Sequence, residues 1–299
     1  MAIDKPAGWM LGPDDAEHHE RSLHRALVDD IEEGAWWAAS RNLKFLRFVH
    51  RLDAPTTGVL LLSKSQGAMS AFSKVFAERV VSKAYLAVVD GIPKAASWAC
   101  REPLGPDPTQ HGRHRVDRRD GKEAETQFEV LQAVSGRALV LAKPVTGRTH
   151  QIRLHLRHAG TPVSGDILYG TRDTRGLALR AFRLEYPDPF LKRRTVIVAP
   201  VESFCRAYGF DPSKVPSDLL RRPGLGGDRR PTGKDGKGAS GASVPPGSSG
   251  PKSGSKDPSG IPGGRKDPKV KPPGGTPQAD RVAEHPPKGR RGQGPSNGT

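Results

Sequence analysis

Asp53 closes the run His50-Arg51-Leu52-Asp53, and an apolar stretch, Val59 to Leu62, follows shortly after it. An acid in so basic a corner is ordinarily a surface ion pair, which contributes little. Other chemistries that would use it find few partners. The spacing of His150, His155 and His158 is not that of an HExxH zinc site, and His18-His19 lie in a polar stretch. There is no GxxxxGK[ST] or GxGxxG for a nucleotide and no GxSxG elbow for serine hydrolysis. Two-carboxylate glycoside hydrolysis requires a second acid in a comparable setting, and none is evident. Any chemistry therefore runs on one carboxylate with help from arginines and aromatics, and no cofactor or metal is expected.

A second concentration of functional side chains lies at Gly147-Arg148-Thr149-His150-Gln151-Ile152-Arg153. Gly147 breaks the chain, and Thr149 can cap a helix running to Gly160 with Ile152, Leu156 and Ala159 inward. His150, Arg153 and Arg157, at i, i+3 and i+7, then share the opposite face. Arg148 stands at the helix start, where a cation gains nothing from the helix dipole. That placement points to an anionic partner, either a phosphate or a carboxylate such as Asp53.

The elements that must position these residues are partly legible. Ser22 to Gly34 reads as a helix with a Ser cap, Leu23, Leu27 and Ile31 in phase, and a closing glycine. Gln66 to Ala77 carries Met69, Phe72 and Phe76 at helical spacing. Val59–Leu62, Ala84–Val89, Thr126–Leu131, Ala138–Ala142 and Val196–Val198 read as strands, the third and fourth joined at Ser135-Gly136. Pro103 to Gly121 is expected to be a long basic loop. Asp4-Lys5-Pro6-Ala7-Gly8 reads as a turn after a strand end, and so little precedes it that the strand is expected to be cut short. Strands joined by short turns with few helices indicate α+β rather than a doubly wound fold.

The chain has 299 residues and a net charge of +16. From Ser213 on it has no aromatic residue and holds 17 Lys and Arg against 7 Asp and Glu. Such a Gly, Pro and Ser-rich segment cannot offset its chain entropy and is expected to be a disordered basic tail. Residues 1–212 form the expected folded domain. The basic balance favours a polyanionic partner, most simply nucleic acid. Cys100 and Cys205 stand far apart without ligand spacing, which fits a reducing compartment. There is no signal peptide pattern or membrane-length apolar run, so a cytoplasmic protein is the expectation, with a monomer as the default oligomeric state.

The stretch HRLDAPTTGVLLLSK resembles the signature of the RluA-type pseudouridine synthases. Further landmarks of that family appear in order: Asp4 to Gly8, Lys83-Ala84-Tyr85-Leu86, Gly121-Lys122 with Ala124-Glu125-Thr126, Gly147 to Arg153, Gly165-Asp166 with Tyr169-Gly170, and Leu179-Arg180-Ala181. The match spans roughly residues 3–200. The resemblance implies a mixed, mostly antiparallel sheet flanked by helices, and isomerisation of uridine in rRNA or tRNA without cofactor. It makes Asp53 the nucleophile, with Arg51 filling the space vacated by a flipped nucleotide, Tyr85 stacking on the uracil and Arg148 pairing with Asp53. Lys83, His150, Arg153 and Arg157 are then RNA-binding residues, and His50 and Lys5 structural ones. Ala54, Thr57 and Tyr186 depart from the commonest residues of the pattern, and a small S4 RNA-binding domain ahead of the core is not expected. A catalytically silent RNA-binding relative is the alternative.

Overall fold

The computed structural model describes residues 1–12 and 21–221. Its centre is a sheet in which β1 (Ala2–Lys5), β3 (Thr57–Ser63), β10 (Leu179–Pro187), β4 (Ser82–Asp90), β9 (Arg137–Pro144), β8 (Thr126–Val134) and β5 (Ser97–Cys100) lie side by side. Two further strands join it, β2 (Arg47–Phe48) on β3 and β11 (Arg194–Val198) on β10. Every pairing is antiparallel except β3 with β10. The α+β reading therefore holds, with a mixed and mostly antiparallel sheet.

The central strands are apolar on both sides. Adjacent residues, which point to opposite faces, are buried alike: Leu60 and Leu61 on β3, Leu86 and Ala87 on β4, and Leu139 and Val140 on β9. Helices cover them: α1 (Leu23–Glu32), α2 (Trp36–Ala39), α3 (Gln66–Ala77), α4 (Gln151–His158), α5 (Glu202–Ala207) and α6 (Ser217–Leu220). The Ser22 cap read from the sequence forms as expected, and Ser65 caps α3 in the same way. Ser22 Oγ accepts from Arg25 N at 3.2 Å, and Ser65 Oγ does the same for Ala68 N.

Two expectations change. The stretch from Pro103 to Gly121 is a hairpin, β6 (Leu104–Pro106) against β7 (His114–Val116), rather than an irregular loop. Leu104 anchors it in a small core with Ala124, Leu154 and Tyr169, an apolar signal too sparse to show as periodicity. The strand before the Pro-Gly turn pairs with β3 from Ala2 opposite Leu61 to Lys5 opposite Gly58. Finally, the packed chain runs beyond 212 as far as the description extends: Val215 is buried in the main core, and Arg183 Nη1 donates to the carbonyls of Leu219 and Arg221. The rest of the expected basic tail, and His18-His19, lie outside the described residues.

The parallel contact between β3 and β10 sets a tight local requirement. Gly58 has φ +114°, and a Cβ there would fall 2.0 Å from the Ala181 carbonyl oxygen. Replacing Gly58 by Ala is expected to lower stability by more than about 2 kcal/mol, combining backbone strain with a clash against main chain. Chemical denaturation checks this, and an unchanged midpoint would contradict it.

Candidate active site

Asp53 sits in the turn between β2 and β3, and the local chain is tied from three directions. Lys5, fully buried, donates its three ammonium protons to the carbonyls of Pro6, Ala54 and Thr56 at 2.7–3.0 Å. Burial pulls its pKa down to about 8, with Asp53 opposing the shift. Gly8 N donates to Ala54 O and Thr56 N to Asp53 O. His50 Nε2 accepts from Leu61 N at 3.1 Å while its ring stacks on Phe76, so His50 is structural, as expected. The carboxylate is thereby aimed into a cleft of about 490 Å³ with Arg51, Lys83, Tyr85, Arg148, His150 and Arg153 among its lining.

The guanidinium on Asp53 is that of Arg153, not Arg148. Arg153 Nη1 donates to Asp53 Oδ2 at 3.2 Å, while its Nε and Nη2 make a bidentate pair with Asp166 at 2.7 Å each. Arg153 is 2 % exposed and Asp166 1 %. Burial alone would lower the Arg153 pKa, but the hydrogen bonds and charge of Asp166, with Asp53 behind them, carry it above its usual value. Arg148 lies on the cleft wall and donates from Nε to Glu123 O at 2.8 Å.

Two sequence readings are corrected here. Arg153 does not belong to an open, RNA-facing side of α4, because Asp166 and the Tyr169 ring, 5.0 Å from its Cζ, enclose it. A second buried carboxylate does exist near Asp53, namely Asp166, although its two oxygens are occupied by Arg153 and by the backbone N–H groups of Leu168 and Tyr169. Asp166 lies far along the chain in a Gly-Asp turn. Gly165 before it has φ +75°, and a Cβ there would meet Gly176 O at 1.9 Å. No local pattern could have paired it with Arg153.

Helix α4 also begins differently from expectation. Thr149 does not cap it. His150 occupies the cap position in the left-handed region, φ +57°, without a side-chain cap bond, and the buried Gln151 ties the turn together. Gln151 Oε1 accepts from Thr146 Oγ1 and Arg148 N, and its Nε2 donates to Glu125 O and Thr126 Oγ1. Ile152 and Leu156 face inward as read, whereas Ala159 is exposed.

The remaining site residues divide. Tyr85, opposite Ala181 and Ala142 in the sheet, presents its ring to the cleft; burial first, and Asp53 second, push its hydroxyl pKa up. Lys83 Nζ donates to Thr146 O at 3.2 Å, which supports the Gly147 turn. Arg51 is exposed at the mouth. Arg157 is exposed over the Tyr169 ring, outside the cleft lining. Among the described residues no group of His, Cys, Asp and Glu is arranged to hold a metal ion.

The cleft thus offers one accessible carboxylate oxygen, an aromatic ring to stack a planar group and several cations at the mouth. The chain matches the family model described as RNA pseudouridylate synthase across residues 1–158. It belongs to that family. It is 34% identical over 212 residues to the ribosomal large subunit pseudouridine synthase C of Haemophilus ducreyi, covering 68% of this chain and 63% of that protein. With the dual-specificity RNA pseudouridine synthase RluA of Escherichia coli K12 it is 32% identical over 181 residues, 60% of this chain and 77% of the other. Among solved structures it resembles human RNA pseudouridylate synthase domain containing 1, with a TM-score of 0.54 and 26% identity over 67% of this chain and 79% of that one. Human domain containing 4, at TM-score 0.53 and 23% identity, covers 84% of its own chain and 67% of this one, and shows the fold.

Two measurements test the site as built. Arg153→Met leaves Asp166 buried without its partner and is expected to cost about 3–5 kcal/mol. Arg148→Met removes only a bond to one carbonyl and is expected to cost about 1 kcal/mol. Equal losses in urea melts would contradict the assignment. The second test is pH. His50 and His150 are both held neutral, chiefly by burial, with pKa values pulled from 6.5 to about 4. The unfolded chain binds these protons more readily, so the stability they confer is complete above about pH 6.5 and is lost as pH falls toward about 4. His50→Gln, whose amide oxygen can still accept from Leu61 N, is expected to show a smaller acid loss than wild type. An unchanged slope would remove His50 from the account.

Proposed function

We propose that this chain is an RNA pseudouridine synthase in its own right, converting uridine to pseudouridine in rRNA or tRNA, with Asp53 as the nucleophile. The observation that carries the reading is the Asp53 carboxylate itself. One oxygen is held by Arg153, and the other, Oδ1, has no hydrogen-bond partner among the described residues and borders the cleft beside Tyr85. A carboxylate pinned at one oxygen and open at the other is poised to attack.

The reaction balances without any co-reactant. Asp53 forms a bond to C1′ of the ribose as the C1′–N1 bond breaks, and uracil departs with the electron pair of N1. The base turns so that C5 faces C1′. A C5–C1′ bond forms as the ester bond to Asp53 breaks, after which C5 loses a proton and N1 gains one. Substrate and product are isomers. The base must first leave its stack, at a cost of a few kcal/mol, and stacking on Tyr85 offsets part of this. Arg51 at the mouth is placed to occupy the vacated position or meet a phosphate, with Arg148 and Arg157 as further phosphate contacts.

Asp53→Asn keeps the shape and loses the nucleophile. It is expected to abolish tritium release from RNA carrying uridine labelled at C5, while RNA affinity stays within a few-fold of wild type. Retained turnover would exclude Asp53 as the nucleophile. Absence of turnover in wild type on both rRNA and tRNA would favour a silent RNA-binding relative.

A further inference from the structure

His150, at the cap of α4, lines the cleft but is not used in the scheme above, and its surroundings are specific. Its Nδ1 lies 2.7 Å from Tyr169 Oη, and its Nε2 points at Asp53 Oδ2 at 4.0 Å. Its backbone sits at φ +57°, in the left-handed region that residues other than glycine occupy uncommonly, histidine more often than most. A helix cap in that conformation, lacking a cap bond, serves the direction of the side chain rather than the helix.

The hydrogen bonding decides which nitrogen carries the proton. The buried Tyr169 hydroxyl already accepts from His114 N at 2.9 Å. Its own proton has one acceptor within reach among the described residues, His150 Nδ1. Leaving a buried hydroxyl proton unbonded costs on the order of 1–3 kcal/mol, so Tyr169 donates and Nδ1 accepts. Nε2 then bears the hydrogen. The far side of the ring agrees, because a lone pair on Nε2 would face the anionic Oδ2, whereas an N–H is attracted to it. Burial, which keeps the Tyr169 hydroxyl protonated, also keeps the imidazole neutral with Arg153 and His114 beside it, although Asp53 and Asp166 pull the other way.

We infer that Tyr169 locks His150 as the neutral Nε2–H tautomer, and that this N–H is a positioning donor which, with Arg153, fixes Oδ2 of Asp53 so that Oδ1 is the oxygen that attacks. At 4.0 Å the N–H is just beyond hydrogen-bonding range. Closure of that gap belongs to the loaded cleft, where catalytic hydrogen bonds tighten. A neutral donor suits the task, since it orients the carboxylate without adding a second full positive charge to weaken it as a nucleophile. The inference rests on the isomerase reading for its consequence, but not for the tautomer.

The test uses the full-length chain labelled with ¹⁵N-histidine. Long-range ¹H–¹⁵N spectra near neutral pH are expected to show His150 with a protonated Nε2 and an unprotonated, acceptor-type Nδ1. In Tyr169→Phe the two tautomers should mix. Kinetically, His150→Leu should lower kcat on the order of 100-fold at nearly unchanged KM, the scale of a misplaced reacting group. His150→Gln, whose amide can put a donor where Nε2 was, should recover about tenfold of that loss. A protonated Nδ1 in wild type, or equal activity of the Leu and Gln variants, overturns the inference. If wild type does not isomerise uridine at all, the functional reading falls, and the spectra alone still decide the tautomer.

Discussion

One guanidinium is shared by two carboxylates, and most of what surrounds the cleft serves that arrangement. Arg153 is buried, so its charge must be compensated, and Asp166 does this with two parallel hydrogen bonds. Only the remaining nitrogen, Nη1, reaches Asp53. The trio therefore carries a net negative charge, and Asp53 is oriented without being neutralised. Had Asp166 been absent, Arg153 would have been free to take Asp53 as a bidentate partner, leaving neither oxygen open. The closed pair behind Asp53 is what leaves its front available.

The scaffold supplies this geometry through rigid parts. Asp166 is fixed by a glycine turn in which main chain passes too close for any side chain, and α4 is fixed by Gln151 beneath it. Asp53 is held by an internal ammonium, Lys5, that gathers three carbonyls of the turn. These contacts link residues as much as 100 positions apart in the chain, so the site forms only once β1, β3 and α4 have come together. It is a property of the tertiary fold more than of any one motif.

How much could be read beforehand follows from that distinction. The strands around Leu60, Leu86 and Leu139, the helix capped by Ser22 and the helix carrying Phe72 and Phe76 were legible because burial and capping leave local patterns. The hairpin at Leu104 and Val116 was not, since two apolar anchors far apart make no period. The HRLD signature singled out Asp53, which lies on the cleft lining. Its partner was misjudged for a physical reason: Arg148 and Arg153 lie on the same motif, and spacing alone gives Arg153 a face of α4 but not what covers that face. Asp166 and Tyr169 arrive from a later turn and make it an interior. The same distance hid the role of Asp166 as the second buried acid, although its Gly-Asp turn was visible as a landmark.

The central claim is that Asp53, pinned by Arg153, performs uridine isomerisation. Its most direct test is a nucleotide-resolution pseudouridine map of total RNA from cells with the gene, without it, and complemented with wild type or Asp53→Asn. The account predicts one or more sites that vanish on deletion and return with wild type only. Sites restored equally by Asp53→Asn, or a map that does not change although the protein is expressed, would contradict it.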